Sequence, residues 1–342
     1  MSTSFPSRRR VLGVAPAAGL AALGAALLPH GLLHAQTAVS GNLSLYTSQP
    51  ERDARGTIEA FNALYPNVKV NVFRSGTTEV LNRLRTEMAA GSPRADVLLI
   101  ADAISMESLK ADGRLLRMTH LNTQQIPARY FDNERTYIGT KLISTGIVVN
   151  SKAPFKPKSW KDLLNPALKG QVIMPSPLYS GAAAITVGAW SRTPDLGWPF
   201  IEGLKTNKAI AVKGNGAVLQ QVATGEKMVG VLVDFMAFNA AAKGSPVEFI
   251  TPKEGLTYVT EPAAILNTAS NLPAAQAFVS FLVSPQGQKF STTLGYFPLQ
   301  GNITPPAGYP KVESLRFMPM DADALLKGAE ADRKRFSDIF GG

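Results

Sequence analysis

The sequence predicts an α/β fold built as two lobes, and three observations predict it. Short runs rich in Val, Ile and Leu alternate with helical patterns along the chain, as expected of mainly parallel sheets flanked by helices. The loops after these runs are enriched in Ser, Thr, Gly and Asn, and several open a helix. Two extended segments, at 139–150 and 263–267, lie far apart in the chain and read as crossovers between lobes. A chain that goes out and returns builds one lobe from both ends. Lobe one then comprises 38–143 plus 262–342, and lobe two 144–261.

Residues 1–35 come first and read as an address. Arg8, Arg9 and Arg10 form a basic region, an Ala/Leu/Val/Gly run covers 11–28, and Ala35 is a small residue before a cleavage point at Gln36. Pro16 and the many Ala and Gly residues argue against a membrane anchor. Ser7-Arg8-Arg9-Arg10-Val11-Leu12 also resembles a twin-arginine motif. Removing this segment takes away three arginines and no acid, so the net charge falls from +10 to +7. The mature chain is expected to be soluble and periplasmic.

Strand-length runs then follow at 43–46, 68–73, 96–100, 145–150, 171–174, 209–212, 229–234, 247–251 and 263–267. Between them, Ile58, Phe61, Leu64 and Tyr65 share one face of a helix over 51–65. Leu81, Leu84 and Met88 do so over 77–90, where Thr77 or Thr78 supplies an N-cap. Further helical patterns cover 182–187, 196–204, 217–224, 235–242, 274–282 and 287–293.

Composition removes several function classes. There is no cysteine, so disulfides, thiolate metal sites and Cys nucleophiles are excluded. Only His120 remains after the leader is removed, and it has no visible catalytic partner. Leu178 breaks any G-x-S-x-G around Ser180, and Leu219 stands where a dinucleotide fingerprint starting at Gly214 needs its last glycine. Lys and Arg are scattered without blocks or interleaved aromatics, which argues against a nucleic-acid partner.

An ordered set of short motifs carries a family resemblance. It begins with Leu45-Tyr46-Thr47-Ser48, Phe73-Arg74-Ser75-Gly76-Thr77-Thr78 and Ser92-Pro93-Arg94-Ala95-Asp96. It continues with Ser144-Thr145-Gly146, Trp160-Lys161-Asp162-Leu163-Leu164-Asn165-Pro166 and Ser176-Pro177-Leu178-Tyr179-Ser180-Gly181. It ends with Phe278-Val279-Ser280-Phe281-Leu282, Gln288 and Gly295-Tyr296-Phe297-Pro298. Over about 42–299 the chain resembles the periplasmic substrate-binding proteins of ABC importers, in the group of ferric-ion, phosphonate and phosphosugar binders. The resemblance implies the type 2 periplasmic binding fold, with a cleft that closes by a hinge on a small-molecule ligand. It also implies a membrane permease as partner and a monomer without cofactor, catalytic residue or metal site. Iron-binding relatives carry adjacent tyrosines after the strand equivalent to 229–233. Here Asp234-Phe235-Met236 stands there, which implies a ligand other than bare ferric iron.

The candidate ligand-binding residues sit where strand runs end. Ser48 and Gln49 follow the first, Gly76 and Thr77 the second, and Tyr179, Ser180 and Gly181 the fifth. Two Ser/Thr-Gly helix starts offer N–H groups, hydroxyls and helix dipoles to an anion, best a phosphonate or phosphate ester. Each serine also suits an ordinary N-cap. Asp102 and Asp234 end runs and would accept an ammonium or hydroxyl, or cap helices instead; Phe235 would wall the cleft beside Tyr179. Three other readings stand beside this one: a polyamine binder, a sensor subunit of the same fold, and an enzyme pairing Asp102 with Asp234. N-terminal sequencing of periplasmic material should find a chain beginning near Gln36; one beginning near Ser2 would overturn the leader.

Overall fold

The computed structural model describes residues 39–341, so the leader expected at 1–35 lies outside the described residues. Strand β1 (Gly41–Thr47) is followed by helix α1 (Glu51–Asn62), β2 (Val68–Arg74), α2 (Thr77–Ala89), β3 (Val97–Leu99) and α3 (Ala103–Ala111). β2 and β3 both pair parallel with β1, the arrangement that strand–helix alternation dictates. The chain then passes through β4 (Ile138–Gly139) and crosses to β5 (Ile143–Asn150) in a second sheet.

The second sheet is completed before the chain returns. Its elements are β6 (Val172–Pro175), α4 (Gly181–Arg192), α5 (Gly197–Thr206), β7 (Ile210–Val212), α6 (Asn215–Thr224), β8 (Val229–Val233), α7 (Asp234–Ala242), β9 (Val247–Ile250) and β10 (Thr257–Val259). β11 (Pro262–Ile265) then rejoins the first sheet, followed by α8 (Leu272–Val283), α9 (Pro285–Thr293) and α10 (Ala322–Phe340). The first sheet has the order β2-β1-β3-β11-β4, and the second β10-β5-β8-β6-β7 with β9 also on β5. β6 runs parallel to β7 and β8, whereas β5 runs antiparallel to β8 and β11 antiparallel to β3. Each sheet is therefore mixed rather than mainly parallel, because the crossover strands enter against the direction of the strands they join.

Alternation along the strands divides each core into two faces. Leu43, Leu45, Val97 and Leu99 pack with Phe61 and Phe278, while Tyr46 and Leu98 face Leu81, Leu84 and Met106. In the second sheet Ile147 and Val149 meet Trp160 and Trp190, whose rings lie 4.9 Å apart, and Val148 and Leu232 meet Val218 and Val222. Both faces are covered by helices, so β5 and β8 are buried along their whole length.

The C-terminal helix departs from a simple division at 262. Its Phe336 is fully buried in the core of Trp190, Phe200 and Ile201, on the second sheet's side. Arg192 pairs with Asp332 at 2.5 Å, and Arg333 reaches Asp102 at 3.7 Å. α10 thus touches α4 and α5 of one sheet and α3 of the other.

Two crossovers run side by side at 138–143 and 260–262. Thr140 and Lys141 both donate backbone N–H groups to the Thr260 carbonyl, at 3.0 and 3.2 Å. Gln288 locks the first crossover: its Nε2 donates to Thr140 O at 2.5 Å and its Oε1 accepts from Leu299 N at 2.7 Å.

Asp96 ties β1, β3 and the turn into α8 together. Only 1% exposed, its carboxylate accepts from Ser44 N (2.7 Å), Ser270 N (2.6 Å) and Ser270 Oγ (2.9 Å). Asp96→Ala leaves these donors buried without an acceptor, so chemical denaturation should show a loss of about 3 kcal/mol. A loss under about 1 kcal/mol would show that water replaces the carboxylate there.

Candidate functional site

A cavity of about 460 Å3 opens between the two sheets, at the carboxyl ends of their parallel strands. That is where open α/β sheets expose loops and helix N-termini. From the first sheet come Ser48, Pro50 and Glu51 after β1, Arg74 to Thr77 after β2, and Ala101 after β3. From the second come Tyr179, Ser180 and Ala182 after β6, Lys213 to Ala217 after β7, and Phe235 and Met236 after β8. Glu261, in the second crossover, and Tyr296 line it too.

The N-termini of α1, α2, α4, α6 and α7 all contribute to this wall. An α-helix leaves its first amides without intrahelical partners and carries partial positive charge at that end. α6 has Gly214 at its N-cap and no side-chain cap, so its first-turn amides are left for whatever fills the cavity. Ser180, by contrast, accepts from Ala183 N at 3.3 Å, the ordinary capping role.

Charges sort into paired and unpaired. Lys213 reaches across from the second sheet to Glu79 of α2 at 2.7 Å and lies 5.2 Å from the Tyr179 ring. Lys213 and Ser75, donating to Glu79, hold its carboxyl below the usual glutamate range. Arg74 is fixed by a 2.7 Å bond from its Nε to Gln49 O, and it has no carboxylate partner among the described residues. At the crossover end, Lys141 pairs with the Glu261 carboxylate, both buried. The Phe235 and Tyr296 rings pack tilted at 37° with centroids 4.3 Å apart, and the Tyr296 hydroxyl donates to Asp53 at 2.7 Å.

Of the residues expected from sequence, Ser48, Gly76, Thr77, Tyr179, Ser180 and Phe235 line this cavity. Gln49 is buried behind it, donating from Nε2 to Glu261 at 3.3 Å. Gly181 is a packing position: a Cβ there would lie 2.4 Å from Ala101 O. Asp102 and Asp234 do not line the cavity: Asp102 takes the capping alternative at α3, whereas Asp234, the first residue of α7, is held by Ser144. Asp102 accepts from Ser105 N and Oγ at 3.1 and 2.6 Å. Asp234 accepts from Ser144 N and Oγ at 2.9 and 2.6 Å and from Phe235 N at 2.7 Å. A carboxyl at a strand end satisfies buried donors first, as both do here. The cavity's carboxylates are Glu51, Glu79 and Glu261 instead.

Arg74, Glu261 and Tyr296 escaped the sequence reading as site residues. Arg74 directly precedes the Ser-Gly-Thr start, Glu261 opens the second crossover, and Tyr296 lies within one of the family motifs.

Two sheets joined by paired crossovers, with a cleft walled by helix N-termini, define a solute receptor. The chain belongs to the bacterial extracellular solute-binding protein family, whose model matches residues 47–297. It is the solute-binding component of an ABC import system, and its family captures solutes rather than transforming them. The family is one of exported proteins, and among the described residues no helix is long and apolar enough to cross a membrane. Iron uptake protein A1 of Synechocystis sp. is 25% identical over 76% of this chain and 76% of its own. The spermidine/putrescine-binding periplasmic protein of Salmonella typhimurium is 27% identical over 54% of this chain and 55% of its own. The fold matches that of the periplasmic binding protein AfuA from Actinobacillus pleuropneumoniae, solved with exogenous fructose-6-phosphate bound. The TM-score is 0.76 at 23% identity, covering 88% of this chain and 99% of that one.

Burial pushes the Asp234 carboxyl up to about 7 from its ordinary 3.8, against the opposing bonds from Ser144. The native chain therefore holds a proton that the unfolded chain releases between those values. Stability should fall as pH rises from about 4 to 7, by at most about 4 kcal/mol from this group, and stay level above. Denaturation of wild type and Asp234→Asn across that window should show the fall in wild type only from this source; parallel profiles would overturn the assignment.

Proposed function

We propose that the cleft captures a small organic anion, a phosphate ester or phosphonate, and delivers it as a monomer to a membrane permease. The observation that carries this reading is the convergence of five helix N-termini with the carboxylate-free Arg74 on one cavity. Each N-terminus contributes N–H donors and dipole field to an anion, and a guanidinium matches phosphate geometry. Capture between α2 of one sheet and α4 and α6 of the other would tie the lobes together. The fructose-6-phosphate held by AfuA supports a ligand of this chemistry.

A polyamine is the second reading, favoured by the Salmonella relative and by three cavity glutamates. Two of these are already neutralised, Glu79 by Lys213 and Glu261 by Lys141. That leaves Glu51 alone for a ligand with several ammonium groups. Ferric iron, suggested by the Synechocystis relative, would want phenolate and carboxylate oxygens where Phe235 and Met236 stand. Among the described residues no group of three His, Asp or Glu is placed to hold a metal.

A thermal-shift panel separates these. Hexose phosphates, glycerol phosphates, aminoethylphosphonate, spermidine and ferric citrate should be compared side by side. A ligand at 100 times its Kd adds about 2.7 kcal/mol, which is on the order of 5–10 °C for a chain of this size. A phosphate ester or phosphonate should give that shift, and Arg74→Ala should weaken its binding about tenfold or more. A shift with spermidine alone, unaffected by Arg74→Ala, would overturn the anion assignment.

A further inference from the structure

We propose that α10 is a strap across the two lobes, anchored on α4 and α5 and closing on α3 through Arg333 and Asp102. Arg333 is then a positioning residue: it sets how far the cleft stands open, and so solute affinity, without touching the solute. This goes beyond the anion reading and does not depend on it.

The strap begins with a third passage between the sheets. α8 packs on the first sheet through Phe278, Phe281 and Leu282. Further on, Met318 N donates to Leu256 O at 2.9 Å and Leu256 N to Arg316 O at 2.8 Å. These bonds join 316–318 to the segment entering β10 of the second sheet. Asp321 then caps α10 by accepting from Ala324 N at 3.0 Å. The anchor on the second sheet's side is firm. Phe336 is fully buried with Trp190 and Phe200, Arg192 meets Asp332 at 2.5 Å, and Arg335 meets Glu202 of α5 at 3.0 Å. Gly188 of α4 permits the close approach, since a Cβ there would stand 2.6 Å from Leu325 Cδ2.

Toward the first sheet the contact is of another kind. Ile104 of α3 shares a seam with Pro177, Val187, Leu325 and Ala329, which leaves only about 10 Å3 of free space. Arg333 lies in the same seam, 3.7 Å from the Asp102 carboxylate. Asp102 already accepts from Ser105 N and Oγ, so its cap on α3 does not need Arg333. The Arg333 Nε, in turn, is buried without a hydrogen-bond partner among the described residues. Neither residue holds its own helix together through this pair; what the pair joins is the two sides of the cleft. Asp102 directly follows Ala101, which lines the cavity and whose carbonyl faces Gly181 of α4. A rotation that parts Ala101 from Gly181 carries Asp102 away from Arg333, because α10 stays with α4. Closed and open arrangements therefore differ by this contact. Apparent affinity scales with the fraction of chains in the competent arrangement, so the strap moves affinity for any solute by one common factor.

The chain has no cysteine, so Arg85→Cys on α2 and Gln220→Cys on α6 can carry one pair of spin labels. Both positions are exposed, on helices whose N-termini face each other across the cavity. Double electron–electron resonance on the unliganded mature protein then reads the opening directly. Wild type should show a short-distance population, and Arg333→Ala should lower its ratio to the longer-distance one about fivefold. Arg333→Lys keeps the charge and should recover part of that loss. Should Arg333→Ala fail to fold, Asp102→Asn removes the charge contact while keeping a good N-cap and should give the same shift. A wild type without the short-distance population overturns the strap. So does a distribution that neither Arg333→Ala nor Asp102→Asn changes, or a loss that Arg333→Lys leaves wholly unrestored.

Discussion

The two crossovers meet in one buried junction, and the rest of the molecule depends on it. Thr260 O accepts from two consecutive amides of the first crossover, and Lys141 and Glu261 join the same strands by charge. A buried ion pair adds little net stability against well-packed apolar side chains, yet losing one partner costs about 3–5 kcal/mol. Its value lies in register. With the crossovers fixed to each other, β5 and β11 enter their sheets at set positions, and the parallel strands of both sheets point their carboxyl ends at one cleft.

That geometry explains why the cleft has so little free charge of its own. Helix N-termini supply a positive field through backbone groups that cannot titrate and carry no side-chain entropy. Side-chain charges are spent elsewhere: Asp102 on a helix start, Asp53 on Tyr296 and Arg52, Glu79 on Lys213. An anion entering such a site meets donors already aimed and few counter-charges to displace. Arg74 is the exception, and its own anchoring to Gln49 O keeps it at the rim of α2.

The fold was legible in the sequence because strand alternation and helix stripes were strong and regular. All nine strand-length runs became strands within a residue or two; the inner strands β3, β5, β6, β8 and β11 are buried throughout, while β2, β7 and β9 at the edges are partly exposed. β4 and β10, of two and three residues, carry too little pattern to register, and neither was read. α10 was missed because its nineteen residues bury only Leu325 and Phe336 among many charges. For the cleft, sequence located the loops but not the roles within them. Asp234 reads the same whether it faces a ligand or Ser144, and only the turn of one side chain decides. Glu261 gave the opposite error: a glutamate before a proline looks like solvated loop until Lys141, 120 residues earlier, is brought beside it.

The two sides of the cleft meet through backbone as well as side chains. A Cβ on Gly76 would stand 2.9 Å from Tyr179 O, and one on Gly181 2.4 Å from Ala101 O, so the two lobes approach each other through glycines on both sides. Around these contacts, Lys213 meets Glu79 over the cavity, and Arg333 of α10 reaches Asp102. The Lys213–Glu79 pair is solvent-exposed and contributes little, about 0–1 kcal/mol, whereas Arg333 meets a buried Asp102 at the longer separation of 3.7 Å. The glycine contacts and both ion pairs are already made in this structure, so a solute between α2 on one side and α4 and α6 on the other adds its contacts to a seam that exists without it.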